Sequence, residues 1–229
     1  MTVRAPSSGT DFAVVGTDTG VGKTVVTAGL VGWLRADGVD ARAVKPCQTG
    51  YPPDDDAGFV ADACGADEAA TCLRRLEPAL APAVAAREVD VEIDYERLLD
   101  GCRDGLAAAS VGVVEGIGGL RVPLAGDREV VDLVADLDLP TLVVARSGLG
   151  TLNHTALSVE ALERRGIAVH GIVLNEYEGA DAAERTNPGV LESMTDRPVW
   201  TLPPIPADPP DGVPDAVRTA LDPAVFPES

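Results

Sequence analysis

Lysine is almost absent from this chain of 229 residues. Among 18 basic residues only Lys23 and Lys45 are lysines; every other one is arginine. Histidine occurs twice, at His154 and His170, far apart in sequence. Cys47, Cys64, Cys72 and Cys102 form no C-x-x-C pair and no metal spacing with histidine, so the pattern supports neither a zinc site nor a disulfide framework. They read as free or buried thiols, Cys47 standing out because it lies close after Lys45. Aromatic residues make up only 3% of the chain, so the core must come from the Val, Leu, Ile and Ala that dominate its 45% hydrophobic content. No stretch reaches the roughly 18–20 apolar residues needed to span a bilayer, so no membrane helix and no membrane partner is expected. Residues 1–10 are polar, read as a flexible lead-in, and hold no apolar signal-peptide core, so a cytoplasmic location is expected. Excess positive charge is missing as well. The net charge is −19, the wrong balance for a nucleic-acid binder.

What is present is organised around Gly16-Thr17-Asp18-Thr19-Gly20-Val21-Gly22-Lys23-Thr24. An apolar run, Phe12 to Val15, precedes it, and an amphipathic run from Val25 to about Arg35 follows. Strand, glycine-rich turn and helix start, in that order, make a phosphate-binding loop. Glycines let backbone N–H groups close on an anion, and the new helix adds unpaired N–H groups and its positive dipole end. In such a loop Lys23 reaches the terminal phosphates and the Thr24 hydroxyl ligates Mg²⁺. Thr17 occupies the usual first-glycine position and Gly16 lies one residue earlier, so the loop is a variant. The two lysines are placed where a compact point charge matters, a role arginine does not fill equally.

Short apolar runs alternate with helical stretches and no internal repeat interrupts them. The expectation is an α/β fold: one P-loop NTPase-like domain over 1–229, three-layer and doubly wound, with helices on both faces of a mostly parallel sheet. Strands are predicted at about 12–16, 41–45, 111–115, 141–145, 168–175 and 199–202. Helices are predicted at about 23–36, 56–64, 67–76, 94–109, 130–137, 152–165, 187–195 and 213–221. Residues 77–90, punctuated by Pro78 and Pro82, read as irregular, and 203–229 as a proline-rich tail. Lys45, Glu115, Ser147–Gly150, Asn175 and Pro203–Pro206 all follow strands. That is the carboxyl edge, where open parallel sheets bind ligands.

Taken in order, the loop 16–24, Lys45-Pro46, Val114-Glu115-Gly116-Ile117-Gly118-Gly119 with Pro123-Leu124, Gly150-Thr151-Leu152-Asn153-His154 and Asn175 resemble the dethiobiotin synthetases over roughly residues 11–206. The resemblance implies ATP- and Mg²⁺-dependent joining of CO₂ to 7,8-diaminononanoate, closing the ureido ring of a biotin precursor. It implies that Lys23, Lys45 and Thr19 are catalytic, Lys45 contacting carbamate and γ-phosphate. Thr19, Gly20, Val21, Gly22, Lys23, Thr24 and Val25 would hold the nucleotide, with Glu115. Asn175 would read adenine, and Pro204 and Pro206 would cover the purine. Thr24, Asp56 and Glu115 match the Mg²⁺ ligands, although Asp54 and Asp55 adjoin Asp56 and can shift that register. Thr49 stands near the substrate amines. Thr151, Leu152 and Asn153 would bind the substrate carboxylate from the partner subunit, which implies a homodimer. One departure is plain: Ala81-Pro82-Ala83 stands where many members carry Ser-Pro-His.

A second class is a partitioning or positioning ATPase of the deviant-loop type. Such proteins carry an early loop lysine, as Lys-Gly-Gly, where this chain has Gly16-Thr17-Asp18. A regulatory domain that binds nucleotide without turnover is disfavoured by the retention of Lys23, Thr24, Lys45 and Glu115. A glutamine-dependent amide ligase would need a further domain with a cysteine nucleophile. His154 and His170 read as structural.

The acidic residues are spread along the chain, which points to a high-salt intracellular setting in which screening relieves self-repulsion. Thermal unfolding should therefore shift upward from low to molar KCl. A melting temperature indifferent to KCl would remove that reading.

Overall fold

The computed structural model describes residues 10–228. The lead-in expected at 1–10 lies, over 1–9, outside the described residues. From the N-terminus the chain forms β1 (Phe12–Gly16), α1 (Lys23–Ala36), β2 (Ala41–Lys45), β3 (Gln48–Thr49), α2 (Asp56–Cys64), β4 (Ala70–Cys72) and β5 (Arg75–Leu76). It continues through α3 (Pro82–Glu88), α4 (Tyr95–Ala107), β6 (Val111–Gly119), β7 (Pro123–Ala125), β8 (Arg128–Glu129) and α5 (Val130–Leu137). It closes with β9 (Thr141–Arg146), α6 (Thr151–Arg164), β10 (Val169–Asn175), α7 (Ala182–Thr195), β11 (Val199–Thr201) and α8 (Val213–Ala220).

Seven strands form one sheet in the order β11-β10-β9-β1-β6-β2-β4, every neighbouring pair parallel. Their near-continuous apolar sequences follow from burial on both faces. Alternate residues feed two cores. Ala13, Val15, Val143 and Ala145 face the cluster under α3–α7. Phe12, Val14, Leu142 and Val144 face the cluster under α1, α2 and α8. After β1 the chain crosses to β2 and β4 on one side and later returns to β9, β10 and β11 on the other. This reversal opens a crevice at the carboxyl ends of the central strands.

Three expectations change. The helix predicted over Asp67–Leu76 is a short 3₁₀ turn, Asp67–Ala69, followed by β4 and β5. Ala70, Thr71 and Cys72 instead pair with Ala43, Val44 and Lys45, covering an edge of β2 that a helix would leave with open hydrogen-bonding groups. The segment 77–90 is not wholly irregular. Pro82 opens α3 from the first-turn position, where its fixed φ and missing N–H cost nothing. The helix expected from Asn187 begins at Ala182, because the Asp181 carboxylate accepts from the Glu184 N–H at 2.9 Å and outweighs Pro188 inside the helix.

The C-terminal helix is not loosely attached. A Cβ at Gly29 would lie 2.2 Å from Val217 Cγ2, and one at Gly32 would lie 2.4 Å from Pro214 Cγ. Two glycines thus let α8 lie directly on α1, the helix that carries the phosphate loop. His170 is structural, its Nε2 within 2.9 Å of the Ala224 carbonyl and its ring stacked on Trp200.

Gly29→Ala should overpack this contact and cost about 1–3 kcal/mol, measured by urea unfolding. Val217→Ala in the same chain should restore part of the loss. An unchanged midpoint in Gly29→Ala would contradict the close approach.

Candidate active site

The loop after β1 wraps the start of α1. Gly20 and Gly22 sit at φ +69° and +96°, a region glycine enters without steric cost. Gly22 is the N-cap of α1, with no side-chain cap and no acidic residue in the first turn. The first N–H groups of the helix are therefore left for an anion. Side chains from the ends of two neighbouring strands hold the loop from behind. Asn175 Nδ2 donates to the Val21 carbonyl at 3.1 Å, and Arg146 Nη2 lies 3.5 and 3.4 Å from the Thr19 and Gly20 carbonyls. In a planar trans peptide, turning C=O outward turns the next N–H inward. The same bracing thus aims the N–H groups of Gly20, Val21 and Gly22 into the cradle. Gly22 has no room for a side chain, since a Cβ there would meet Asn175 Nδ2 at 2.0 Å.

Five side chains from two strands and two helix starts converge beside the loop. Lys23 Nζ donates to the Asp18 carbonyl at 2.8 Å. The Thr24 hydroxyl donates to Glu115 Oε1 at 2.9 Å. Lys45 Nζ donates to the same Glu115 oxygen at 2.8 Å and to the Gly116 carbonyl at 3.2 Å, and pairs with Asp56. Lys45 and Glu115 are 5% and 2% exposed, so their charges have little solvent to screen them.

The two lysines diverge in consequence. Burial, with Lys45 nearby, lowers the Lys23 pKa to about 8, against the pull of Glu115 and Asp56. Burial would lower Lys45 too, but the Glu115 and Asp56 carboxylates overrule it and hold its ammonium charged well above the usual lysine range. Burial would raise Asp56. Its contacts with Lys45, Thr24 and Glu115 hold it below the usual carboxylate range. Burial raises the Cys47 thiol to about 12, so it is no nucleophile at neutral pH.

Among its neighbours Asp56 is the acid that faces this cluster. Asp55 instead caps α2 by accepting from the Gly58 N–H at 3.1 Å, and Asp54 lies against Gly50. Two carboxylates and a hydroxyl are hard oxygen donors of the kind Mg²⁺ takes together with substrate phosphates, and a lysine ammonium already rests on both carboxylates. The residues therefore fit the ion. Among the described residues no group of three or more His, Cys, Asp or Glu is arranged to hold a metal unaided.

A cleft of ≈ 1080 Å³ lined by Lys23, Thr24, Lys45 and Asp56 extends to Thr19, Gly20, Val25, Thr49, Ile117, Val122 and Asn175. Its far wall comes from Ala79 to Pro82. The Ala81-Pro82-Ala83 departure therefore falls on the cleft and leaves that wall apolar. The tail contributes Ala207, Asp208 and Pro210; Pro204 and Pro206 are exposed and do not line the cleft. Thr151, Leu152 and Asn153 begin α6 outside this cleft. Thr151 is buried, its hydroxyl 3.2 Å from that of Thr155, while Asn153 is exposed and the adjoining Leu149 is 90% exposed. Reading the sequence missed Arg146 and Gln48. Arg146 left a faint signal, a charge closing the apolar run Thr141–Ala145. Gln48 left none.

The family described as AAA domain matches residues 10–208. Among solved structures, the septum site-determining protein MinD of Pyrococcus horikoshii, complexed with Mg-ADP, is similar at TM-score 0.57 and 17% identity, over 92% of this chain and 94% of its own. A ParA family ATPase of Chlorobium tepidum is similar at TM-score 0.57 and 14% identity, over 96% and 91%. These distant likenesses show a P-loop NTPase-like α/β fold and nothing finer. Curated relatives are much nearer. The ATP-dependent dethiobiotin synthetase BioD of Anaeromyxobacter sp. strain K is 47% identical over 83% of this chain and 88% of its own. That of Haloferax mediterranei is 71% identical over 85% and 84%. With these identities over more than four fifths of the chain, the chain belongs to the ATP-dependent dethiobiotin synthetases.

Proposed function

We propose that this protein closes the ureido ring of dethiobiotin from 7,8-diaminononanoate, CO₂ and ATP. The observation that carries the reading is the pair of buried lysines flanking Asp56 and Glu115 at the mouth of a phosphate loop. One amine of the substrate takes up CO₂ as a carbamate. A carbamate oxygen then attacks the γ-phosphorus of ATP, ADP departs, and a carbamic–phosphoric anhydride remains. The second amine attacks its carbonyl carbon, phosphate leaves and the five-membered ring closes.

Each step gathers negative charge on oxygen, and pre-placed cations in a dry site stabilise it without reorganising solvent. Lys23 and the inward N–H groups of the loop take the triphosphate. Lys45, kept charged by Asp56 and Glu115, faces the carbamate and γ-phosphate. Thr24, Asp56 and Glu115 would hold Mg²⁺, whose chemistry is to neutralise phosphate oxygens. Thr49 and Thr19 approach the diamine, and the apolar surface of Leu80, Ile117 and Val122 suits its hydrocarbon chain. Asn175 ties the base position to the phosphate loop through Val21, and the 207–210 segment closes the base end.

The substrate carboxylate is assigned to the start of α6 in a second copy of the chain. Thr151, Leu152 and Asn153 lie outside their own cleft, and Leu149 and Leu157 on the same face are exposed leucines. A homodimer covers them and supplies the helix N-terminus to the neighbouring cleft. Four free cysteines suit a reducing cytoplasm.

The test is phosphate release from MgATP with bicarbonate in molar KCl, with and without the diamine, following the product by mass. Diamine-dependent turnover yielding a product with one added carbonyl is expected, and phosphate release indifferent to the diamine would overturn the reading. Lys45→Ala should lower kcat about 10²–10³-fold. A variant within about twofold of wild type would remove Lys45 from the chemistry.

A further inference from the structure

Gln48 is a buried amide, 6% exposed, that the reaction scheme leaves unused. It follows Lys45-Pro46-Cys47 and forms β3 with Thr49. β3 is fixed as backbone by β5, with Gln48 opposite Arg75 and Thr49 opposite Leu76, and the Gln48 N–H donates to the Arg74 carbonyl at 2.8 Å. Its side chain is thereby free to bond elsewhere. Oε1 accepts from the Asp56 N–H at 3.1 Å, and Nε2 donates to the Thr49 carbonyl at 2.9 Å.

Both partners need what this amide offers. The Asp56 N–H opens α2 and has no acceptor within its own helix. The Asp55 carboxylate serves the Gly58 N–H instead. The Thr49 carbonyl needs a donor. One acceptor and one donor on a single planar group satisfy both, which neither glutamate nor an apolar side chain can do. The segment between them, residues 50–55, makes the rim of the cleft, and Gln48 ties its two ends together. The carboxylate at one end faces Lys45, Thr24 and Glu115; the residue at the other lines the wall given to the diamine.

We propose that Gln48 is a positioning residue whose two amide arms set the Asp56 carboxylate for divalent-cation binding and the Thr49 wall for the diamine. The cation arm stands on the geometry alone; the diamine arm rests on the ligase reading above. Removing an outer partner that orients a metal ligand costs about 10–100-fold in affinity or activity.

The experiment compares wild type, Gln48→Met and Gln48→Glu in the full chain. Mn²⁺ affinity is read by electron paramagnetic resonance with β,γ-methylene-ATP present, and KM and kcat for the diamine are measured beside the melting temperature. Gln48→Met should weaken Mn²⁺ and raise the diamine KM, each by about tenfold. Gln48→Glu keeps an oxygen for the Asp56 N–H but sets an oxygen against the Thr49 carbonyl. It should therefore hold Mn²⁺ within about threefold while KM rises as in Gln48→Met. Parallel shifts in both variants, or a fall in melting temperature with Mn²⁺ affinity and KM unchanged, would overturn the assignment. If Gln48→Met does not fold, the split within Gln48→Glu decides: KM raised with Mn²⁺ retained supports it, and both or neither altered refutes it. If wild type shows no diamine-dependent turnover, the ligase reading falls. The Mn²⁺ comparison still decides the cation arm, loss in Gln48→Met with retention in Gln48→Glu supporting it and equal loss refuting it.

Discussion

Lys45 keeps its charge where water scarcely reaches, because Glu115 and Asp56 both rest on its ammonium group. Lys45 and Glu115 would each be costly in that place alone. Removing one partner of a buried ion pair typically costs about 3–5 kcal/mol, since the other is left uncompensated. The cluster is thus less a source of stability than a constraint: all its members must be present and correctly aimed. The rest of the site depends on it. Glu115 also receives the Thr24 hydroxyl, so the start of α1 and the middle of β6 are locked together. Burial, with a second positive charge close by, brings the Lys23 pKa to about 8. A bound polyphosphate would raise it again by supplying the missing counter-charge.

The fold meets the constraint by bringing strand ends together. β1, β6 and β2 are neighbours in the sheet although far apart in sequence, so Glu115 and Lys45 arrive beside the phosphate loop from the same edge. Asp56 reaches them from the start of α2. From the other side, the ends of β9 and β10 lie in register, Arg146 opposite Asn175, and both turn onto loop carbonyls. A flexible glycine loop is thereby given one shape before any ligand arrives, as electrostatic catalysis requires. The packing of α8 on α1 through Gly29 and Gly32 extends the same logic, since it anchors the tail segment that lines the cleft.

Much of this was legible in the sequence because the signals were local. Double-sided burial writes strands as apolar runs, so β1, β2, β6, β9 and β10 could be placed from Val, Leu, Ile and Ala alone. Gly22-Lys23-Thr24 marked the loop and helix start together. Glu115 stood out as a lone acid in an apolar run, although the strand expected to end there continues to Gly119. What was not legible depends on tertiary partners. Ala70–Cys72 has no strong strand pattern and becomes a strand only because β2 offers an edge. Pro82 read as an interruption, yet it opens a helix; Pro188 fell at the expected start of a helix from Asn187, yet it is carried inside one begun by Asp181. Which of Asp54, Asp55 and Asp56 faces the cluster is set by pairing with Lys45 at the end of β2. Gln48 and Arg146 act through hydrogen bonds to backbone, which leave no periodic trace.

The scarcity of lysine allows a direct look at the central claim, that two cations in one cleft have opposite electrostatic surroundings. Protein labelled with ¹³C at lysine Cε should give two side-chain resonances, from Lys23 and Lys45. In the ligand-free protein one should titrate near pH 8, assigned to Lys23 by its loss in Lys23→Arg. The other should show no titration up to the highest pH the fold tolerates, because Asp56 and Glu115 hold that proton. Two resonances titrating together near the ordinary lysine value would contradict the account.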